Sequence, residues 1–269
     1  METRFFNGGH CGQLLALVDR RSWRWVRFHA VFLAVRHPRE GWVLIDTGYG
    51  GRFPAATRRW PFFLYRLATP ATMAGSTADT LRAAGIAPEE IRHVVVTHFH
   101  ADHIGGLADF PHATIHHHAD AWRTLAALSP FKQLHAAFLP ALVPDWLAQR
   151  SRPIAAEAFL AGTELPFPMH DLFGDGTIQL LDLPGHAPGH LGVRLPGAER
   201  PLLYATDAYW NAAQIAGGVD LIPPVLRVQW DGRAYVETVR RLRGVQAAGT
   251  HTLLACHAPE TQAFVAGNP

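Results

Sequence analysis

The sequence predicts an α/β fold, and three observations support that expectation. Short apolar runs ending in a polar residue recur along the chain. Helix patterns with their own start and stop residues lie between them. Apolar residues make up 48% of the chain and charged residues 17%, enough apolar side chain for a sizeable core.

Five segments read as buried strands that open into loops: GWVLIDTGYG (41–50), HVVVTHFHADH (93–103), IQLLDLPGHAPGH (178–190), PLLYATDAYW (201–210) and HTLLACHAPE (251–260). Their exits carry Asp46, His98 with His100, His186, Asp207 and His257. Loops beyond the carboxyl ends of strands are the usual seat of function in layered α/β proteins.

Between the strands, STADTLRAAG (76–85) has a Ser/Thr start, Leu81 and Ala84 on one face and Gly85 as a stop. APEEIRH follows, with Pro88 and two acids suited to a first helical turn. In DGRAYVETVRRLRG (231–244), Asp231 caps a helix whose Tyr235, Val239 and Leu242 share a face, and Gly244 is expected to end it. Residues 51–75 and 119–170 break this rhythm with prolines, aromatic residues and helical patches. They read as insertions over one end of the sheet of a single domain, 1–269.

The net charge of +2 is too small to suggest a nucleic-acid or anionic-membrane partner. No apolar run reaches the roughly 18 residues that span a bilayer, and METRFFNGGHCG lacks a secretory pattern. Cys11 and Cys256 sit in no C-x-x-C pattern, so reduced thiols and a cytoplasmic location are expected. The anomaly is the 17 histidines.

Four ligand-type residues, His98, His100, Asp102 and His103, crowd into THFHADHIGG. On extended backbone, His98 and His100 point the same way and can converge on one ion. A turn opening a helix at ADHIGG lets Asp102 and His103 aim at a second ion, with Gly105 and Gly106 permitting close approach. The later exits complete the count. One site would hold His98, His100 and His186, the other Asp102, His103 and His257, with Asp207 bridging through both oxygens. Nitrogen and oxygen donors without thiolate suit two zinc ions best, with iron, manganese or cobalt also compatible. His190 reads as a loop hydrogen-bonder, and His116, His117 and His118 as a strand end and helix cap.

THFHADHIGG resembles the H-x-H-x-D-H signature of the metallo-β-lactamase superfamily, and PGHAPGH with the Asp207 and His257 exits resembles its later motifs, in the same order. The resemblance covers about residues 30–260. It implies an αββα sandwich with the metals at one edge of two sheets. LIDTG matches the family's Asp-Thr-Gly strand end, where Asp46 would orient a ligand. Within the family, the arrangement is similar to the N-acyl homoserine lactone lactonases. These place a tyrosine just after the bridging aspartate. Here DAYW departs, with Tyr209 two residues on and Trp210 three on, where the family's tyrosine is expected.

The implied activity is opening of a lactone or ester by a hydroxide held between the metals. Asp102 would pass a proton to the leaving oxygen and Tyr209 would donate to the oxyanion. The expected partner is a small molecule with an apolar part, seated against the aromatic insertions; a homodimer is compatible with the sequence. Phosphotriester or phosphodiester hydrolysis is the alternative on the same ligands, and a single-iron dioxygenase would not need the second site.

Overall fold

The computed structural model describes residues 1–197 and 199–266. Among these, the strands form two sheets. The first contains β1 (Thr3–Leu14), β2 (Trp25–His37), β3 (Gly41–Ile45), β4 (Ala71–Met73), β5 (Ile91–Val95), β6 (Thr114–His118) and β7 (Ser151–Ile154), in the order β4-β1-β2-β3-β5-β6-β7. The second contains β8 (Leu160–Ala161), β9 (Pro168–Asp171), β10 (Gln179–Asp182), β11 (Leu191–Leu195), β12 (Leu202–Tyr204) and β13 (Thr252–Leu254), in the order β13-β12-β11-β10-β9-β8.

Alternation along β2 shows how the layers assemble. Val31, Leu33 and Val35 pack between the sheets against Leu180, Val193, Tyr204 and Leu254. Ala30, Phe32 and Ala34 turn the other way, into the core beneath the helices. A strand buried on both faces reads as a continuous apolar run, and β2 carries one from Ala30 to Val35. Helices cover the outer faces, which gives the αββα sandwich. Among the described residues, no helix is long and apolar enough to cross a membrane.

Helix α1 (Phe53–Ala56) and α2 (Phe63–Ala68) occupy the first insertion, and α3 (Thr77–Ala83) starts at Ser76, whose hydroxyl accepts from Asp79 N. Helix α4 (Ala101–Ile104) is the single turn that follows His100. Helix α5 (Ala119–Ala126) is capped by His118, whose ring accepts from Asp120 N at 3.1 Å. Then come α6 (Pro130–His135), α7 (Leu147–Arg150), α8 (Ala212–Ile215), α9 (Pro223–Arg227), α10 (Gly232–Ala248) and α11 (Thr261–Ala266).

Two boundaries differ from the sequence reading. The expected insertion 119–170 is helical only in its first part: residues 151–154 extend the first sheet, and 160–161 and 168–171 build the second. Helix α10 runs through Gly244 and ends at Gly249, which takes φ 64°. A helical glycine costs about 1 kcal/mol relative to alanine; burial of Val245 one residue later continues the apolar face.

Candidate metal centre

The five anticipated strands each deliver their exit residues to one edge of the sandwich. The loop after β3 is stitched to α4: Thr47 N and Oγ1 both donate to His103 O at 2.8 Å, and Gly105 N donates to Gly48 O at 3.0 Å. A Cβ on Gly105 would strike Tyr49 O, and one on Gly106 would strike Thr77 Oγ1. Only glycine lets the two loops lie this close. The His186 loop is clamped to the start of α10, with Asp231 N donating to Gly185 O (2.9 Å) and Thr238 Oγ1 to Pro184 O (2.7 Å). Asp46 and Thr206, at the exits of β3 and β12, both have positive φ (63° and 49°). That conformation is costly away from glycine, and such residues concentrate at functional sites.

Eight side chains meet at this edge. Ligand-capable atoms of His98, His100, His186 and Asp207 lie within 4.8 Å of one another, as do those of His103, Asp207, Cys256 and His257. Asp207 belongs to both groups. Its Oδ1 lies 3.3 Å from His103 Nε2, and its Oδ2 lies 2.9 Å from His257 Nε2, 3.4 Å from His186 Nε2 and 3.9 Å from His98 Nε2. The Asp102 carboxylate sits 3.4 Å from His257 Nε2 and 3.7 Å from His103 Nε2. Cys256 is the less suitable donor, because its sulfur already accepts from Val31 N at 3.2 Å on β2. Asp102 is therefore the better fourth member of the second group.

The donors are set in advance by what holds their other atoms. His103 Nδ1 pairs with Asp46 Oδ2 at 2.7 Å, and Asp46 also accepts from Thr97 N and Oγ1. His257 Nδ1 donates to His29 O (2.8 Å), His186 Nδ1 pairs with Gln229 Oε1 (2.8 Å), and His98 Nδ1 with Thr97 Oγ1 (3.2 Å). Each contact ties Nδ1 and leaves Nε2 toward the cluster, as a metal-binding imidazole requires. Among the described residues, His98 Nε2, His103 Nε2 and Asp207 Oδ1 are buried with no hydrogen-bond partner; the 3.3 Å approach of the last two is misaligned for one. Orphaned buried donors and acceptors are costly, and their convergence suits a cation.

The electrostatics agree. Burial pushes His98 and His100 well below the ordinary histidine pKa, reinforced by neighbouring imidazoles. Burial would do the same to His103 and His257, but Asp207 leads the neighbouring charges that outweigh it, and both are raised. Burial opposes ionisation of Asp207, yet His257 and His103 hold its pKa well below the carboxylate range. A buried carboxylate thus sits ionised among imidazoles.

A cavity of about 690 Å³ opens above the cluster, bounded by His100, Asp102, His186, Asp207 and His257 at its floor and by Leu17, Phe28, Leu128 and Val225 on its walls. Both insertions contribute, through Tyr65 and Ala68 of the first and Lys132 and His135 of the second. Tyr209 is not brought to the site. It is buried in the core, and its hydroxyl donates to Leu253 O at 3.3 Å. Trp210 lies there instead, its ring 5.8 Å from His186 and 6.5 Å from His257. His190 is hydrogen-bonded at both ring nitrogens, to Leu183 O at the start of its own loop and to Thr206 Oγ1 just after β12. The sequence reading missed Gln229 and His29, whose links to His186 and His257 span 43 and 228 residues.

Residues 24–248 match the family described as the metallo-beta-lactamase superfamily. The N-acyl homoserine lactonase AttM of Rhizobium radiobacter is 31% identical over 173 residues, 59% of this chain and 59% of that relative, so the match spans less than two thirds of the relative's length. A solved N-acyl homoserine lactone hydrolase, with N-hexanoyl-L-homoserine at its catalytic metal centre, superposes with a TM-score of 0.73 at 17% identity, covering 97% of this chain and 94% of that one. AidC, a dizinc quorum-quenching lactonase, gives a TM-score of 0.65 at 17% identity, covering 95% and 86%. At such identities the structural likeness establishes the fold.

Proposed function

This chain belongs to the metallo-beta-lactamase superfamily, and from that premise we propose that it is a dinuclear metal-dependent hydrolase opening a lactone or ester of the acyl homoserine lactone type. The observation that carries the reading is the shared carboxylate of Asp207, which belongs to both groups of converging donors at the floor of an apolar cavity.

His98, His100 and His186 would hold one divalent ion and Asp102, His103 and His257 the other, with Asp207 between them. Zinc suits this donor set best, with iron, manganese or cobalt as alternatives. Bound there, two such ions would supply a water acidic enough to act as nucleophile at neutral pH and would draw charge from the carbonyl. The chain's own residues do the rest. Asp102 lines the cavity floor and would take the proton of the attacking water and return it to the leaving oxygen. Leu17, Phe28, Leu128 and Val225 exclude water and hold the acyl part of the substrate. Both cysteines are free and buried, which suits a reducing cytoplasm.

Lys132 and Arg227 also line the cavity, which favours phosphodiester or phosphotriester hydrolysis as the second reading. Both side chains belong to exposed residues, where water screens their charge, so an uncharged carbonyl substrate is preferred. A panel of short- and long-chain acyl homoserine lactones, aryl esters, phosphotriesters and a β-lactam tests the choice. Lactone turnover supports it; strong phosphotriester turnover without lactone turnover overturns it.

A further inference from the structure

The chain lacks a tyrosine three residues after Asp207, and the tyrosine two residues after it faces the core. Trp210 offers an indole N–H in place of a hydroxyl, and that Nε1 is buried with no hydrogen-bond partner among the described residues. Two other phenols line the cavity, Tyr49 and Tyr65. The Tyr49 hydroxyl is engaged with the Cys11 thiol. Among the described residues, the Tyr65 hydroxyl has no hydrogen-bond partner.

Tyr65 is well placed to act. It sits in α2, inside the first insertion. Its ring packs edge-on against Phe53 at 5.9 Å, and Phe53 packs edge-on against Tyr49 at 5.2 Å. Phe53 is 1% exposed, so a core residue fixes the phenol's position. The cavity that Tyr65 lines is also lined by Cys11, Tyr49 and Asp102.

We propose that Tyr65 donates a hydrogen bond to the leaving oxygen of the substrate, in the cavity that Asp102 also lines. When the acyl C–O bond breaks, its electron pair stays on that oxygen, and the phenol O–H stabilises the charge. Asp102 then returns the proton taken from the attacking water, so ester and water become acid and alcohol. The phenol keeps its own proton throughout. This inference rests on the hydrolase reading above and adds the residue that would stabilise the leaving group.

The test compares the zinc-loaded protein with its Tyr65→Phe variant, which retains the ring packed on Phe53. The substrates are hexanoyl homoserine lactone, with a poor alkoxide leaving group, and p-nitrophenyl hexanoate, with a good one. We expect kcat for the lactone to fall about 100-fold and kcat for the nitrophenyl ester to change less than about threefold. KM, metal content and thermal midpoint should stay the same. Equal losses on both substrates, or no loss on the lactone, overturn the assignment. A wild-type protein that turns over neither substrate refutes the lactone or ester reading, and the assignment with it.

Discussion

Asp46 and His103 are joined at 2.7 Å with neither side chain exposed to solvent. The aspartate comes from the exit of the third strand and the histidine from the single helical turn after the fifth. Removing the carboxylate frees the imidazole to rotate or change tautomer. Asp46→Ala should weaken metal affinity by about 10–100-fold. Competition with a chromophoric chelator measures it; unchanged affinity would show that the contact is structural only.

His103→Ala removes a cluster donor from a fully buried position. Turnover should fall to background while the circular dichroism spectrum stays native. Unchanged turnover would sink the two-metal mechanism.

Tyr209→Phe loses one hydrogen bond, to Leu253 O. The cost should be about 1 kcal/mol of stability, read from the urea midpoint, with turnover retained. A large loss of kcat would restore the catalytic role that its place after Asp207 suggests.

Gly106→Ala would drive a methyl group into Thr77 Oγ1 and toward Thr47 O. Forced overpacking of this kind costs roughly 1–3 kcal/mol. The thermal midpoint should fall, and metal affinity with it, because the same loops set His103. A midpoint unchanged from the wild type would contradict the close approach described here.

At the far end of the first sheet, His116 Nε2 lies 3.0 Å from His93 Nδ1. Burial pushes the His116 pKa from 6.5 down to about 4, and the nearby His93, His117, Arg152 and His170 add to it. Glu40, 3.5 Å from His93, is the acidic group of the cluster. The folded state therefore binds fewer protons than the unfolded chain between these two values. Stability from this site is fully present above about pH 6.5 and is lost as pH falls toward 4, on the order of 2–3 kcal/mol. Urea midpoints across that range should fall more steeply for the wild type than for His116→Gln; equal slopes would contradict the assignment.

The sequence exposed the site more fully than the fold. Ligand-type residues at strand exits are visible because buried strands are apolar runs and their exits break sharply, as in HVVVTHFHADH. The long hairpin of the first two strands escaped notice, because Thr3–Leu14 mixes glycines and polar residues with its apolar ones. The second sheet's short strands, such as Leu160–Ala161, are too brief to show a period. Gln229 and His29 were invisible for a different reason: each finds its histidine only through tertiary folding. Tyr209 misled because the tight loop after the twelfth strand decides which neighbouring side chain faces the cavity, and residue order alone does not.

Elemental analysis of the purified protein tests the central claim most directly. Two groups of converging donors sharing Asp207 predict close to two divalent ions per chain, chiefly zinc, removed by a chelator together with lactone turnover. One redox-active iron per chain, or turnover that survives complete removal of metal, would contradict the account.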